Sequence, residues 1–176
     1  FKSIFVAHAD SKVSKVEDLK GKTIAFGSKS STSGHLMPRH FLIDQFQIDP
    51  AKDFANDPVF SGAHDATARI VESGKVPAGA LNKQVWDRMV SEKKVNTEVV
   101  KPIWTSPGYA DYVWTACKDV PEDIKQKFIN AFLKLDPMEQ EHKTVLALQG
   151  AQKFVKATPS DFDAIEAVAK STGLLK

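Results

Sequence analysis

Two short segments hold the side chains best suited to chemistry. The first is Ser30-Ser31-Thr32-Ser33-Gly34, four hydroxyls and a glycine between a run that reads as a strand and one that reads as a helix. A helix start exposes N–H groups with no partner inside the helix and carries a partial positive charge. Hydroxyls and a glycine placed there let a small anion approach several donors at once. An ordinary N-cap in a polar loop uses the same residue types, so this segment alone leaves both readings open. Pro38 sets a limit on the register, because proline past the first turn would forfeit a helix hydrogen bond. The regular helix should therefore begin at Ser33 or later, with the hydroxyls at its mouth.

The second segment is Ser61-Gly62-Ala63-His64-Asp65, another strand-to-helix junction. In an open parallel sheet the loops after the C-terminal strand ends face one crevice, and ligands bind there. His64 is then expected to point toward Ser31, Thr32 and Ser33. An imidazole so placed can donate to an anion, and bound negative charge favours its protonated form. Read alone, His64 is equally a surface or capping histidine, and Asp65 reads as a helix-start carboxylate. Other constellations fall away. His35 and His40 are five residues apart, so they do not share a helix face as a zinc pair at four-residue spacing would, and no glutamate lies between them. No metal site and no cofactor are expected. The nucleophile-elbow pattern is missing, and no carboxylate is evidently placed to orient His64. Gly27-Ser28-Lys29-Ser30 lacks the upstream glycine of a phosphate-binding P-loop. No enzymatic machinery is visible.

These junctions need a sheet to position them. The chain has 176 residues, 42% of them hydrophobic, which suffices for one compact α/β unit with an appendage. Its net charge of +2 gives no basic stripe of the kind nucleic acid requires. No apolar run is long enough to cross a bilayer and no leader precedes Phe1, although a chain that starts at Phe says nothing of its compartment. Short apolar runs at 23–26, 58–60, 78–81 and 99–105 alternate with amphipathic ones. The helical faces are Leu36, His40, Phe41, Ile43 and Phe46, then Ala63, Ala66, Ile70 and Val71 stopped by Gly74, then Val85, Trp86, Met89 and Val90. This alternation predicts an α/β fold, an open parallel sheet of four strands flanked by helices. A further strand over 1–8 is expected to pair with the run 112–117, the two forming a hinge. Cys117, at the end of that run, reads as a small buried hydrophobe. Pro121, Glu122 and Asp123 open a helix carrying Phe128, Ile129, Phe132 and Leu133. A last helix opens at Ser160, with Asp163 at capping-box spacing, and ends near Gly173. The expected division is a ligand-binding lobe over 1–117 and C-terminal helices over 118–176.

The segment Phe26-Gly27-Ser28-Lys29-Ser30-Ser31-Thr32-Ser33-Gly34-His35-Leu36-Met37-Pro38-Arg39 resembles the signature of phosphonate-type solute-binding proteins of ABC importers. Further matches follow the same order: Val16-Glu17-Asp18-Leu19-Lys20-Gly21-Lys22, Gly62-Ala63-His64-Asp65-Ala66, Gly79-Ala80-Leu81-Asn82 and Ile103-Trp104-Thr105-Ser106-Pro107. The resemblance covers nearly the whole chain. It implies one lobe of a type II periplasmic-binding-protein clamshell, the second, plus the tail that returns to the first. The family's opening stretch, with the tyrosines of its first lobe, has no counterpart here.

By this resemblance the protein is a periplasmic or lipid-tethered extracellular receptor, monomeric when complete. It would capture a tetrahedral oxyanion such as phosphite, phosphonate or phosphate and dock on a membrane permease. The family's anion cradle falls on Ser31, Thr32 and Ser33, next to Gly34, and its phosphoryl-binding histidine on His64. Gln84 stands where aminophosphonate binders carry an acidic group. A neutral amide cannot balance an ammonium, which implies a ligand without an amine. Tyr109-Ala110-Asp111-Tyr112 looks like the segment that phosphite- and hypophosphite-type members place over the ligand, bringing in Tyr109 and Asp111. A carboxylate facing an anion is tolerable only when it accepts a proton from it. Protonated phosphite, phosphate and phosphonate supply one; sulfate and selenate do not. Asp111 is otherwise a turn residue near a hinge. Two alternatives keep the fold: a transport protein for selenate or another oxyanion, and the sensor input of a signalling protein.

Overall fold

The computed structural model describes residues 1–175. The chain divides into two compact units, one of Phe1–Asp111 with the stretch from Ser160 onward, the other Tyr112–Pro159. In chain order the first unit runs β1 (Ser3–His8), β2 (Ile24–Phe26), α1 (Met37–Asp44), α2 (Pro50–Asp53), β3 (Val59–Phe60), α3 (His64–Glu72), β4 (Ala78–Asn82), α4 (Lys83–Ser91) and β5 (Val100–Thr105). The second unit holds α5 (Glu122–Leu133) and α6 (Gln140–Leu148), and α7 (Asp163–Ser171) belongs again to the first, where it lies against α1.

The five strands form one open sheet in the order β3-β2-β4-β1-β5. β2 pairs in parallel with β3 and β4, while β1 runs antiparallel to both β4 and β5. The four strands foreseen as parallel therefore do share a direction. The sheet is nevertheless mixed, because β1 is inserted among them. The expected partner of β1, the run 112–117, forms no strand. The reason lies in β1 itself. Ile4, Phe5, Val6 and Ala7 are each at most 1% exposed, so the strand has no polar face to show solvent. Such a strand is stable only with covered faces and neighbours on both edges. It finds them in register with Leu81 and Ala80 on one side and with Thr105 and Trp104 on the other. Cys117, left without a sheet to enter, is exposed rather than buried.

Successive side chains of a strand point to opposite faces, so β1 feeds two cores. Ile4 and Val6 pack with Leu81, Trp86 and Met89 under α3 and α4. Phe5 and Ala7 pack with Phe26, Leu42 and Ile48 on the α1 side. In the second unit α5 buries none of its residues, and Phe128 is 63% exposed. Phe132 there meets the rings of Trp114 and Phe154 at centroid distances of 5.3 and 4.7 Å.

Helix α3 approaches the sheet closely at Gly79 in β4. A Cβ there would lie 2.7 Å from Thr67 Cγ2, 3.0 Å from the Ala25 carbonyl oxygen and 3.2 Å from Val71 Cγ2. The first and last belong to α3, and the carbonyl belongs to the neighbouring strand, so neither side can yield. Gly79→Ala should lower the unfolding free energy by about 1 to 3 kcal/mol, the cost typical of overpacking. The midpoint of a urea transition measures it.

Candidate functional site

Strands β3, β2 and β4 are adjacent and parallel, so their C-terminal ends deliver three loops to one edge of the sheet. The loop after β2 enters a single π turn, Thr32–Leu36, before α1 begins at Met37, with Pro38 in the first turn of α1. The regular helix thus starts later than Ser33, as the proline required. Ser31 caps the π turn. Its Oγ accepts from the Gly34 N–H at 3.0 Å, and its carbonyl accepts from His35 and Leu36 at 3.0 and 2.9 Å. Ser31 thus engages the N–H groups of Gly34, His35 and Leu36, and among the described residues those of Thr32 and Ser33 are the two in the turn with no backbone or side-chain acceptor.

His64 opens α3, and its ring is pressed against this turn. A Cβ on Gly34 would lie 2.9 Å from Ser31 Oγ, 3.0 Å from His64 Cε1 and 3.1 Å from His64 Nδ1. The imidazole and the Ser31 hydroxyl therefore flank the same backbone position. His64 Nδ1 accepts from the Asn82 N–H at 3.3 Å, so the neutral ring carries its proton on Nε2. Burial pushes the imidazole below its ordinary pKa, and the neighbouring Asp65 carboxylate opposes that shift.

Asn82 did not figure among the expected site residues. Buried at the end of β4, it caps α4 by accepting from Gln84 N and Val85 N at 2.8 and 3.1 Å. Its side-chain amide donates to Ser33 Oγ at 3.1 Å. One residue therefore joins the loops after β2, β3 and β4. Its sequence signal was an Asn directly after an apolar strand run, the type that caps a helix. The Ser33 hydroxyl, while accepting from Asn82, keeps its own single proton for another acceptor. Ser3 is a second addition: its Oγ donates to the Ser33 carbonyl at 2.8 Å and shares a 2.7 Å hydrogen bond with the Tyr109 hydroxyl.

The remaining expected residues are placed unequally. Asp111 lies half-buried, and its side chain is hydrogen-bonded to Thr32. Burial raises its carboxyl pKa, against the downward pull of the Thr32 hydrogen bond and of the Phe1 amino group. Tyr109 sits behind the cradle through Ser3, its ring 6.4 Å from Phe41. Gln84 is exposed on the first turn of α4, with its N–H consumed by the Asn82 cap. An open cavity of about 540 Å³ begins at Ser31 and His64 and runs between α3 and α4, over Val85 and Met89, to Arg69 and Arg88. Gln84 does not line it. Among the described residues no three of His, Cys, Asp and Glu gather as a metal would need.

Comparison with known proteins adds an independent line. A family model described as the periplasmic substrate-binding protein of phosphonate ABC transporters matches residues 1–162. A probable phosphite-binding protein of an ABC transporter from Prochlorococcus marinus is 33% identical, over 100% of this chain and 62% of that protein. A phosphate-import protein from Mycolicibacterium smegmatis is 25% identical, over 98% of this chain and 58% of that protein. The chain thus spans less than two thirds of the length of these relatives. Among solved structures, that of the Prochlorococcus marinus protein in complex with methylphosphonate superimposes with a TM-score of 0.82 at 34% identity, covering 99% of this chain and 68% of that one.

Two expectations follow from this geometry. Gly34→Ala should displace the His64 ring and quench the Asn82 to His64 hydrogen bond, which the loss of His64 nuclear Overhauser contacts to residue 34 would record. Burial holds the imidazoles of His35, which is buried, and of His64, which is half-buried, below the ordinary pKa of 6.5. The unfolded chain therefore binds these protons more readily than the folded one, so stability rises with pH through this window and is lost as pH falls below 6.5. Asp111, shifted upward, acts in the opposite sense nearer the carboxylate range. Urea melts from neutral to mildly acidic pH should show the decline, and His64→Gln should make it shallower.

Proposed function

We propose that this chain, which belongs to the periplasmic substrate-binding proteins of phosphonate ABC transporters, forms the lobe that holds a protonated tetrahedral oxyanion for import. The observation that carries the proposal is the contact at Gly34, where the Ser31 hydroxyl and the His64 ring meet one residue without a side chain. Ser31, Ser33, the backbone N–H groups of Thr32 and Ser33 and the Nε2–H of His64 then act as donors to the phosphoryl oxygens. Thr32 and Asp111 supply the complementary group. A carboxyl raised by burial and held by Thr32 accepts the ligand's remaining proton, or donates its own to a ligand oxygen. Tyr109 supports the cradle from behind through Ser3. Gln84, exposed and outside the lining of the cavity, has no part in this reading, and the selection against an amine implied for it by the resemblance is not carried over.

A cavity of about 540 Å³ falls within the range of small-molecule sites and leaves room beyond a bare tetrahedral ion for an organic substituent. Phosphonates are accordingly included with phosphite and phosphate. The exposed apolar side chains of α5 and α6, Phe128 and Leu148 among them, serve as a seat for the part of the family's chain that has no counterpart here. Completed in that way, the protein is a monomeric periplasmic receptor. It delivers its anion to a membrane permease and carries out no covalent chemistry.

Calorimetric titration tests this, using the chain together with whatever flanking sequence its gene encodes. Phosphite, methylphosphonate or phosphate should bind, and selenate should not. His64→Ala should weaken binding by at least about tenfold, since one charge-assisted hydrogen bond contributes roughly 1.5 to 3 kcal/mol. Unchanged affinity in that variant removes His64 from the site. Asp111→Asn should reduce the preference for protonatable anions over selenate, and selenate bound by the unaltered protein in place of phosphite would sink the role given to Asp111.

A further inference from the structure

His35, rejected as half of a metal pair, lies in the π turn directly behind the cradle and is only 4% exposed. Its Nδ1 is 2.7 Å from the carbonyl oxygen of Lys29. A carbonyl can only accept, so Nδ1 bears the proton and Nε2 is a bare lone pair. That Nε2 is buried without a partner among the described residues. The ring packs 4.9 Å from Phe26 and, edge-on, 4.9 Å from Phe60. Phe26 ends β2 and Phe60 ends β3, each just ahead of a loop that builds the site. Lys29 closes over the outside of this cluster, its ammonium 5.6 Å from the Phe60 ring centre. Burial keeps the imidazole neutral; the Lys29 carbonyl opposes that, and the charges of Arg39 and Lys29 reinforce it.

A buried nitrogen without a partner is destabilising, and a phenylalanine would fill the same space without that cost. What the imidazole adds is the grip on Lys29. That carbonyl belongs to the turn 28–31, which Ser31 N closes on Ser28 O at 3.1 Å and which presents the Ser31 hydroxyl. We propose that His35 is a positioning residue. Its Nδ1–H holds the turn 28–31 while its ring braces the ends of β2 and β3, so that Ser31 and His64 keep their spacing before any ligand arrives. This rests on the oxyanion reading for its purpose, but its first readout needs no ligand.

The test compares two variants by amide hydrogen exchange in the ligand-free protein and by titration with phosphite. His35→Phe keeps the ring and loses the donor; His35→Asn keeps a donor near the Nδ1 position and loses the ring. In His35→Phe, exchange at residues 29–34 should quicken about three- to tenfold, the span of one neutral hydrogen bond, with β1 and β4 unchanged. Phosphite affinity should fall by a similar factor, and His35→Asn should recover part of both losses. Unchanged exchange at 29–34, acceleration spread equally into β1 and β4, no recovery in His35→Asn, or failure of both variants to fold would each overturn the proposal. If exchange responds as expected but the unaltered protein ignores phosphite, the positioning role stands and the choice of ligand fails.

Discussion

The site depends on a missing side chain. At Gly34 the backbone of the π turn approaches the His64 ring so closely that even a methyl group would crowd it, at 3.0 to 3.1 Å, and would press on the Ser31 hydroxyl at 2.9 Å. Because the two loops touch there, the imidazole is held within reach of the cradle by packing, in addition to its 3.3 Å hydrogen bond from Asn82. A long hydrogen bond alone orients a ring weakly. A ring wedged against a backbone that sits on the end of a buried strand has little freedom, and donors held in advance of the ligand do not pay for ordering when it binds.

That arrangement is in turn a property of the sheet. Three parallel neighbours bring their C-terminal ends to one edge, and β1, antiparallel and apolar on both faces, is held between β4 and β5. β1 is also linked to the site directly. Ser3 at its start reaches the Ser33 carbonyl and the Tyr109 hydroxyl, and its N–H is bound by Ser106 Oγ at 2.8 Å. The core strand and the back of the cradle are thus one hydrogen-bonded assembly, so a disturbance in β1 would be felt at Ser33.

How far the sequence foretold this differs by the range of the interaction. The three strand-loop-helix units were legible because each is local: apolar run, polar junction, amphipathic face, with Gly74 at a φ of 71° marking the end of α3. The nearness of His64 to the 31–34 turn was legible one level up, since the rule for parallel sheets converts two local junctions into one edge. The partner of β1 was not legible. A strand that is apolar on both faces can pair anywhere, and the choice of β4 and β5 over 112–117 is decided by contacts distant in the chain. The exposure of Cys117 follows from that same choice. Asn82 showed its cap in the sequence, whereas its amide bond to Ser33 joins residues 49 positions apart. Gln84 marks a different limit: a match in position along a helix does not say which way the side chain points.

The electrostatics around His64 and Asp111 bear on the kind of anion proposed for the site. Burial drives His64 toward its neutral form and Asp111 toward its protonated one, so both groups resist carrying charge before a ligand enters. In the proposed reading a monoprotonated anion suits both groups as they stand. Its negative charge is met by the Nε2–H of a neutral His64, whose Nδ1 stays with the Asn82 N–H, and its own acidic hydroxyl faces Asp111 as a donor. A neutral imidazole still donates from Nε2, so capture need not wait for proton uptake. A fully ionised oxyanion would face Asp111 with no proton to offer and could be accepted only with the carboxyl itself protonated. On that reading, the same burial that depresses a base and elevates an acid makes protonation of the ligand the quantity by which Asp111 would tell one tetrahedral anion from another.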